Sequence, residues 1–390
     1  MPPDPERSDR INRFLLENEC AALLAWHPDE IVLLFGCLPH WGLTFALWPI
    51  DGVPIVYAPA LEPEDRIPFH CSEVRRFDWG VMGCSDPFSQ LLALLGDDIA
   101  RLGLANQAVA CFAGGSQRAP SSSPAEWPPL PGNALKSVIE VAGRSRDLTL
   151  EMPRLFGFKT PLETERIRKA NRVAVRALEA FSLNLHAGIT EAELGGMVEL
   201  QIQREVGLES IRYARGFAAV QSGPNAAHAG HFNVSGGRRL AEGDLVLIEL
   251  ATCVDGYWSD LTRTGSVGTP SDEHTKLINT VLTAQRAAIS RIGPGVSAAE
   301  VDSAARTILA EAGLKEFFTH ATGHHVGFRY HDPGFALAPG IKMALEPGMV
   351  VTIEPGVYGT QLGGGVRFEE NVLVTKTGFE VLSAPSLGDH

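Results

Sequence analysis

Four carboxylates and two imidazoles in the second half of this 390-residue chain stand where acids and bases are costly unless they do chemistry. Glu249 interrupts the apolar run LVLIELA at 245–251, and Asp260 follows in SDLTRT at 259–264. His324 and His331 lie seven apart in the glycine-rich stretch GHHVGFRYHDP at 323–333. Glu354 closes the run MVVTIE at 349–354, and Glu369 lies near the start of VRFEENVLV at 366–374. A carboxylate inside an apolar strand is expensive unless it is paired or bound to a metal. Facing carboxylates repel, and a divalent cation relieves that repulsion. Four carboxylates and one imidazole, mostly in strand-like settings, are what a site for two hard or borderline divalent metals uses. Seven of the twelve histidines fall between 228 and 331, which concentrates this chemistry in one part of the chain.

Those residues need strands and turns to position them. A hairpin joining the run that holds Glu249 to the run that holds Asp260 brings the two carboxylates together. Upstream, KTPLETE at 159–165 is a helix start: Thr160 caps, Pro161 suits the first turn and Glu163 completes a capping box. Ile167, Ala170, Ala174, Leu178 and Phe181 then recur at helical spacing. Two later helices share a pattern. Thr190 and Glu193 open one that ends near Gly207, and Ser297 and Glu300 open another that ends at Gly313, offsets of 107 and 106 residues. Matching caps, lengths and glycine exits indicate a duplicated half-domain with a site where the halves meet.

Residues 8–150 read as a separate α/β unit. The pattern predicts a helix over 9–18 and strands over the apolar runs at 21–26, 31–35, 44–48 and 53–57, each bounded by Gly, Pro or Asp. The Pro/Ser-rich segment 114–132 reads as an exposed loop. The boundary falls near 153–158, dividing the chain into an N-terminal domain, 1–155, and a catalytic domain, 156–390.

Composition narrows the function classes. Lys+Arg 33 against Asp+Glu 46 gives a formal charge of −13, which argues against a nucleic-acid binder, since phosphate contacts need a basic face. The six cysteines are scattered without a CxxC pair, which predicts reduced, buried thiols rather than a disulfide framework or a thiolate zinc site. The N-terminus MPPDPER shows no apolar leader, and no uncharged run reaches the ~20 residues that span a bilayer. The expectation is a soluble, cytoplasmic protein with no membrane or nucleic-acid partner.

The set GDLVLIE, SDLTRT, GHHVG with a histidine at 331, TIEPG and VRFEEN, in this order, resembles the "pita-bread" metallopeptidase family. That family includes prolidase, Xaa-Pro aminopeptidase, methionine aminopeptidase and the metal-free creatinase. The resemblance covers about 160–390, and the preceding unit is similar to the N-terminal domain of the prolidase and creatinase branch. It implies an α/β N-terminal domain followed by an α+β pita-bread domain with an internal pseudo-two-fold duplication, in a homodimer whose N-terminal loops approach the partner's site. It also implies two divalent ions (Mn, Co, Zn or Fe) held by Glu249, Asp260, His324, Glu354 and Glu369. The implied reaction is cleavage next to proline by a metal-activated hydroxide. In it Glu354 handles the proton, while His231 and His331 donate hydrogen bonds to substrate or intermediate.

Two positions depart from the family pattern. The first ligand there is Asp and here is Glu249, whose extra methylene moves the carboxylate by about a bond length where metal–oxygen distances tolerate only about ±0.2 Å. His325 stands where the family has Gly. Arg367, Arg329 and His40 are candidate substrate contacts. Arg367 could instead orient Glu369, and Arg329 could equally be solvent-exposed. His40 with Trp41 could reach a partner's site or simply pack. His228 and His325 read as neighbours of the site, His274 and His320 as surface or packing residues, and Cys253 as a small buried hydrophobe. The first function is a metal-dependent Xaa-Pro peptidase. The alternatives are a creatinase-like hydrolase or lyase of a small nitrogenous or zwitterionic metabolite, with metal use altered through Glu249, and a non-catalytic peptide-binding module.

Overall fold

The computed structural model describes residues 4–41, 43–67, 72–79, 82–83, 86–113, 132–229 and 235–383. The chain divides into two compact units, with the break between Phe156 and Gly157. Among the described residues, no helix is long and apolar enough to cross a membrane.

The N-terminal unit comprises α1 (Pro5–Glu17), β1 (Ala22–Ala25), α2 (Pro28–Phe35), β2 (Phe45–Pro49), β3 (Ile55–Pro59), β4 (Glu73–Phe77), α3 (Pro87–Arg101), β5 (Ala108–Cys111), α4 (Gly132–Val141), β6 (Arg144–Asp147) and the short α5 (Pro153–Phe156). Its strands form one mixed sheet in the order β4-β3-β2-β1-β5-β6. Three sequence expectations are corrected. The run 31–35 is helix, not strand: Pro28 sits in its first turn, the Glu30 carboxylate accepts from the backbone N–H of Trp26 and His27, and Gly36 ends it at φ 65°. Every position of α2 is buried, so no amphipathic period separates helix from strand over so short a run. The first helix begins at Pro5 because Asp4 caps it, and the fourth run starts as strand only at Ile55. The Pro/Ser-rich segment lies outside the described residues except for Gly132, which begins α4.

The second unit comprises α6 (Pro161–Leu183), α7 (Glu191–Arg204), β7 (Ala214–Ser222), β8 (Leu245–Val254), β9 (Tyr257–Ser266), α8 (Asp272–Ser290), α9 (Ala298–Glu311), β10 (Val350–Ile353), β11 (Gly356–Gly359), β12 (Gly364–Arg367), β13 (Glu370–Val374) and β14 (Phe379–Val381). Thr160 and Glu163 cap α6 reciprocally, and the five apolar positions read along it are all buried. Strands β7-β8-β9 form one sheet, β10-β13-β14 another, and β11-β12 a two-stranded ribbon.

The duplication extends to individual hydrogen bonds. The residues two before the caps match, with Gly188 N–H bonding Leu240 C=O and Gly295 N–H bonding Leu345 C=O, both at 2.8 Å. The caps themselves form bridges, Thr190 with Arg239 and Ser297 with Ala344. The turns entering β8 and β10 match as well: Gly243 bonds Val267 and Gly348 bonds Val374, both at 2.9 Å. Two separate apolar cores lie under the two halves, one built from α6, α7 and β7–β9, the other from α8, α9 and β10–β13.

Candidate metal centre

Three local devices carry the reactive residues. The first is the β8–β9 hairpin, closed by Asp255 and Gly256, both at positive φ (50° and 94°), a two-residue turn of the type that matches strand twist. In its register Glu249 faces Thr262 and Ala251 faces Asp260. Glu249, Asp260 and Thr262 therefore share one face of the ribbon, as the period of two requires. The second device is the segment 322–326, which pairs with β10 through the His325–Val351 bridge and so aligns His324 with Thr352 and Glu354. The approach is so close that a Cβ on Gly323 would lie 1.9 Å from the Thr352 carbonyl oxygen; only glycine fits. The third is the junction of β12 and β13. There the Glu369 N–H bonds Thr262 C=O at 3.1 Å, and the Asn371 side chain exchanges hydrogen bonds with the Asp260 backbone at 2.7 and 3.1 Å. These bonds stitch the two sheets together, so the two halves contribute to one centre. Because Gly243 corresponds to Gly348, Glu249 and Glu354 occupy equivalent places in the two halves.

His324 is the hub. Its Nδ1 bonds the His325 carbonyl at 2.9 Å, which requires Nδ1 to carry the proton and leaves the Nε2 lone pair free. Nε2 stands 3.4 Å from Asp260 Oδ2 and 3.5 Å from Glu354 Oε1. Two ligand triads result, Asp260–His324–His331 and His324–Glu354–Glu369, each with donor atoms within 4.8 Å of one another. Buried oxygens on two of these residues, Asp260 Oδ1 and Glu369 Oε1, have no hydrogen-bond partner among the described residues. Unmatched carboxyl oxygens and an imidazole lone pair converge here, a donor set that fits a divalent cation.

Electrostatics agree. Burial, then the neighbouring carboxylates, push Asp260 and Glu369 well above the ordinary carboxylate range. Burial pushes Glu249 up to about 7, with Arg367 pulling against it. Each raised carboxyl keeps, in the folded metal-free protein, a proton that the unfolded chain has already released. The stability these groups contribute is therefore full at acidic pH and lost as pH rises through their folded values, about 7 for Glu249. The metal-stripped protein is expected to melt roughly 5 °C or more higher at pH 5.5 than at pH 8. Reloading a divalent ion should abolish or reverse the difference. A scanning-calorimetry series in which the stripped protein is more stable at pH 8 refutes this reading.

Glu249 stands apart. It enters neither triad, and its Oε2 accepts a hydrogen bond from Arg367 Nη2. Arg367 also donates from Nε to Thr262 Oγ1 at 3.0 Å and from Nη1 to the Tyr358 hydroxyl at 2.7 Å. Thr262 in turn donates to Glu369 Oε2 at 2.7 Å. Arg367 thus serves Glu249 directly and Glu369 through Thr262, and in this geometry its guanidinium is spent on protein partners rather than on substrate. Burial alone would depress its pKa; Tyr358 and the surrounding carboxylates hold it well above the ordinary value instead.

The remaining candidates are placed as follows. The His331 ring lies 4.3 Å from that of His324, centroid to centroid, and 4.2 Å from that of Tyr330. Arg329 is buried, not exposed, and its N–H bonds Asp332 at 2.8 Å. His40 lies in the N-terminal unit, exposed, with its ring edge-on to Trp41. His228 is exposed, and His231 falls outside the described residues. His325 is buried against Phe335, and neither ring nitrogen has a hydrogen-bond partner among the described residues. Burial, then Lys159 and His324, push its pKa down to about 3, so it is a neutral packing residue. His320 Nε2 meets the Tyr358 hydroxyl at 2.9 Å, which extends the Arg367 chain. Thr262, Thr352 and Tyr358 were not singled out from the sequence. The two threonines each lie two residues from a carboxylate on the same strand face, a signal that strand periodicity does contain; Tyr358 has no such signal.

The sequence pattern of Metallopeptidase family M24 matches residues 165–376, more than half of the chain. The protein belongs to metallopeptidase family M24. Within reach of this M24 chain is the Xaa-Pro dipeptidase of Lactobacillus helveticus, 30% identical over 250 residues, 64% of this chain and 66% of that protein. A peptidase of Staphylococcus aureus strain USA300, described as uncharacterized, is 35% identical over 239 residues, 61% and 65% of the two lengths. The matches thus span just under two thirds of these relatives. The prolidase of Pyrococcus horikoshii OT3 superposes with a TM-score of 0.77 at 26% identity, covering 98% of this chain and 99% of that one. The prolidase of Pyrococcus furiosus gives 0.76 at 27%, over 96% and 99%. The M24 fold, an α/β N-terminal domain followed by a duplicated pita-bread domain, therefore covers essentially the whole molecule.

Proposed function

We propose that this M24 protein is a metal-dependent Xaa-Pro peptidase of the prolidase type, acting on small peptides. The observation that carries the proposal is the pair of orphaned, buried oxygens on Asp260 and Glu369 converging with the Nε2 lone pair of His324. A divalent ion held there supplies Lewis acidity, which polarises a scissile carbonyl and makes a water acidic enough to attack near neutral pH. Asp260, His324, Glu354 and Glu369 would hold that ion. Glu354 is partly buried beside His324, where its carboxylate can take a proton from the attacking water and return it to the leaving nitrogen. His331, whose ring lies tilted beside that of His324, donates a hydrogen bond to the substrate oxygen that gains charge; His231 is assigned the same part. Arg329 remains a candidate contact for the substrate carboxylate. The protein is read as a cytoplasmic homodimer.

A second reading is favoured by one observation, the engagement of Glu249 by Arg367: a hydrolase or lyase of a small zwitterionic metabolite with altered metal use. One experiment separates them. Protein stripped of metal and reloaded with Mn²⁺, Co²⁺, Zn²⁺ or Fe²⁺ is expected to hydrolyse Xaa-Pro dipeptides at least about 10²-fold faster than the stripped form. Absence of metal-dependent turnover across that panel excludes the peptidase, and hydrolysis of a zwitterionic metabolite that survives chelation establishes the second reading.

A further inference from the structure

We propose that Glu191 is a positioning residue for the peptidase reaction, its buried carboxylate fastening both ends of the segment 222–236 and thereby seating Tyr358 beside the centre. The inference rests on the metal-dependent reading above and extends it to a side chain outside the ligand set.

Glu191 is the first residue of α7 and is fully buried. A buried carboxylate is costly unless donors surround it. Here they come from both ends of one segment. At its start, Ser222 donates to Glu191 from its N–H and from its hydroxyl, each at 2.7 Å. Asn225 Nδ2 donates at 3.0 and 3.1 Å to the two carboxylate oxygens. At its end, the Gly236 N–H donates at 3.0 Å. Arg238 joins the cluster by donating to the Ser222 hydroxyl at 2.6 Å, and is itself paired with Asp244 at 2.5 Å.

The other half of the duplication builds the same helix start without this carboxylate. Glu191 follows the Thr190 cap as Ala298 follows the Ser297 cap. Glu191 and Ala192 N–H bond the Arg238 and Gly236 carbonyls at 3.0 and 3.1 Å; Ala298 and Ala299 N–H bond those of Met343 and Ile341, both at 2.9 Å. What Glu191 adds is a grip on the segment that follows β7. The segment that follows 322–326 in the second half has a buried carboxylate of its own, Asp332, which accepts from the Phe328 and Arg329 N–H at 3.1 and 2.8 Å.

The grip reaches the centre by packing. Ala226 lies in the turn Gly223–Ala227, next to Asn225, and packs with Leu247 and Tyr358. The approach is so close that a Cβ on Gly365 would lie 2.1 Å from the Ala226 carbonyl oxygen. The Tyr358 hydroxyl accepts from Arg367 Nη1 at 2.7 Å, and Arg367 holds Glu249 directly and Glu369 through Thr262. A turn that drifts from Tyr358 therefore loosens the guanidinium that orients two carboxylates of the centre. A misplacement of about 1 Å can cost about 10²-fold in rate.

The test combines kinetics of the Mn²⁺- or Co²⁺-loaded enzyme on a Xaa-Pro dipeptide with metal content, melting temperature and hydrogen exchange. Glu191→Ala, the residue the second half carries at this place, is expected to fold and keep its metal content. Its kcat should fall about 10- to 100-fold with KM within about threefold, the pattern of an interaction made in the transition state. Peptides containing Ser222 and Gly236 should exchange at least about tenfold faster, because their N–H groups lose their acceptor. Glu191→Gln keeps one acceptor oxygen and should fall between the two. A merely structural residue would lower the melting temperature and leave the kinetics of the folded enzyme alone. A folded Glu191→Ala protein with kcat and KM within twofold of wild type, or with unchanged exchange at Ser222 and Gly236, overturns the inference and leaves the peptidase reading standing. Where Glu191→Ala does not fold, Glu191→Gln decides, and wild-type kcat in it overturns the inference. Wild type without metal-dependent turnover overturns both.

Discussion

Replacing His324 by alanine is expected to lower kcat/KM on a Xaa-Pro dipeptide by about 10³-fold or more. His324 is the one residue common to both ligand triads, so its loss dismantles each of them. What disappears is the Lewis acidity that supplies several kcal/mol of transition-state stabilisation, at about 1.4 kcal/mol per tenfold in rate. The fold should survive, because the His324 side chain is partly exposed and its removal leaves the backbone bonds to Thr352 in place. Melting temperature and metal content measured beside the kinetics separate the two effects. A variant that loses its ion yet keeps activity within tenfold of wild type sinks the metal-dependent mechanism.

The second large effect lies beneath the centre. Lys159 and Asp332, 173 residues apart in sequence, form an ion pair at 2.7 Å with both side chains fully buried. Asp332 also accepts from the N–H groups of Phe328 and Arg329, so the pair pins the loop that carries His324 and His331. Gly327 makes room for it, since a Cβ there would lie 2.7 Å from Lys159 Cε and would be strained at φ 146°. Lys159→Met should cost about 3–5 kcal/mol, because a buried carboxylate without its partner is the expensive product. The melting temperature should fall by roughly 10 °C. Adding Asp332→Asn should recover part of the loss, since the amide oxygen still accepts from the loop N–H groups while the bare charge is gone. A single variant as stable as wild type, or a double variant less stable than the single, contradicts this account. Where Lys159→Met remains folded, kcat and KM should both change, because the pinned loop carries His331.

Much of the centre was legible in the sequence because carboxylates in apolar strands advertise themselves. Asp260, Glu354 and Glu369 were conspicuous in this way and His324 through its glycine-rich, histidine-rich stretch, and the structure brings all four together. The capping boxes at Thr190 and Ser297 revealed the duplication, since a cap is a local motif whose hydrogen bonds close within three residues. The α2 segment failed for the converse reason: when every side chain is buried, the period that distinguishes helix from strand vanishes, and the deciding bonds from Glu30 involve single backbone groups. Lys159 illustrates another limit. A lysine just before a helix start gives no sign of a carboxylate 173 residues away.

Glu249 shows most sharply where sequence ends and tertiary structure begins. Residue type and spacing by themselves determined the family, the two-domain order, the hairpin and the set of acids and imidazoles available for metal chemistry. All of these rest on patterns repeated within a strand or a helix turn. Which carboxylates point at one another was decided only when β8–β9 and β12–β13 were stitched together through Asp260, Thr262, Glu369 and Asn371. That junction placed Arg367 against Glu249 and left Asp260 and Glu369 with unmatched oxygens. The physical reason is range: propensity and periodicity act over a few residues, whereas the partner of a buried charge is whichever opposite charge the packing of distant segments delivers.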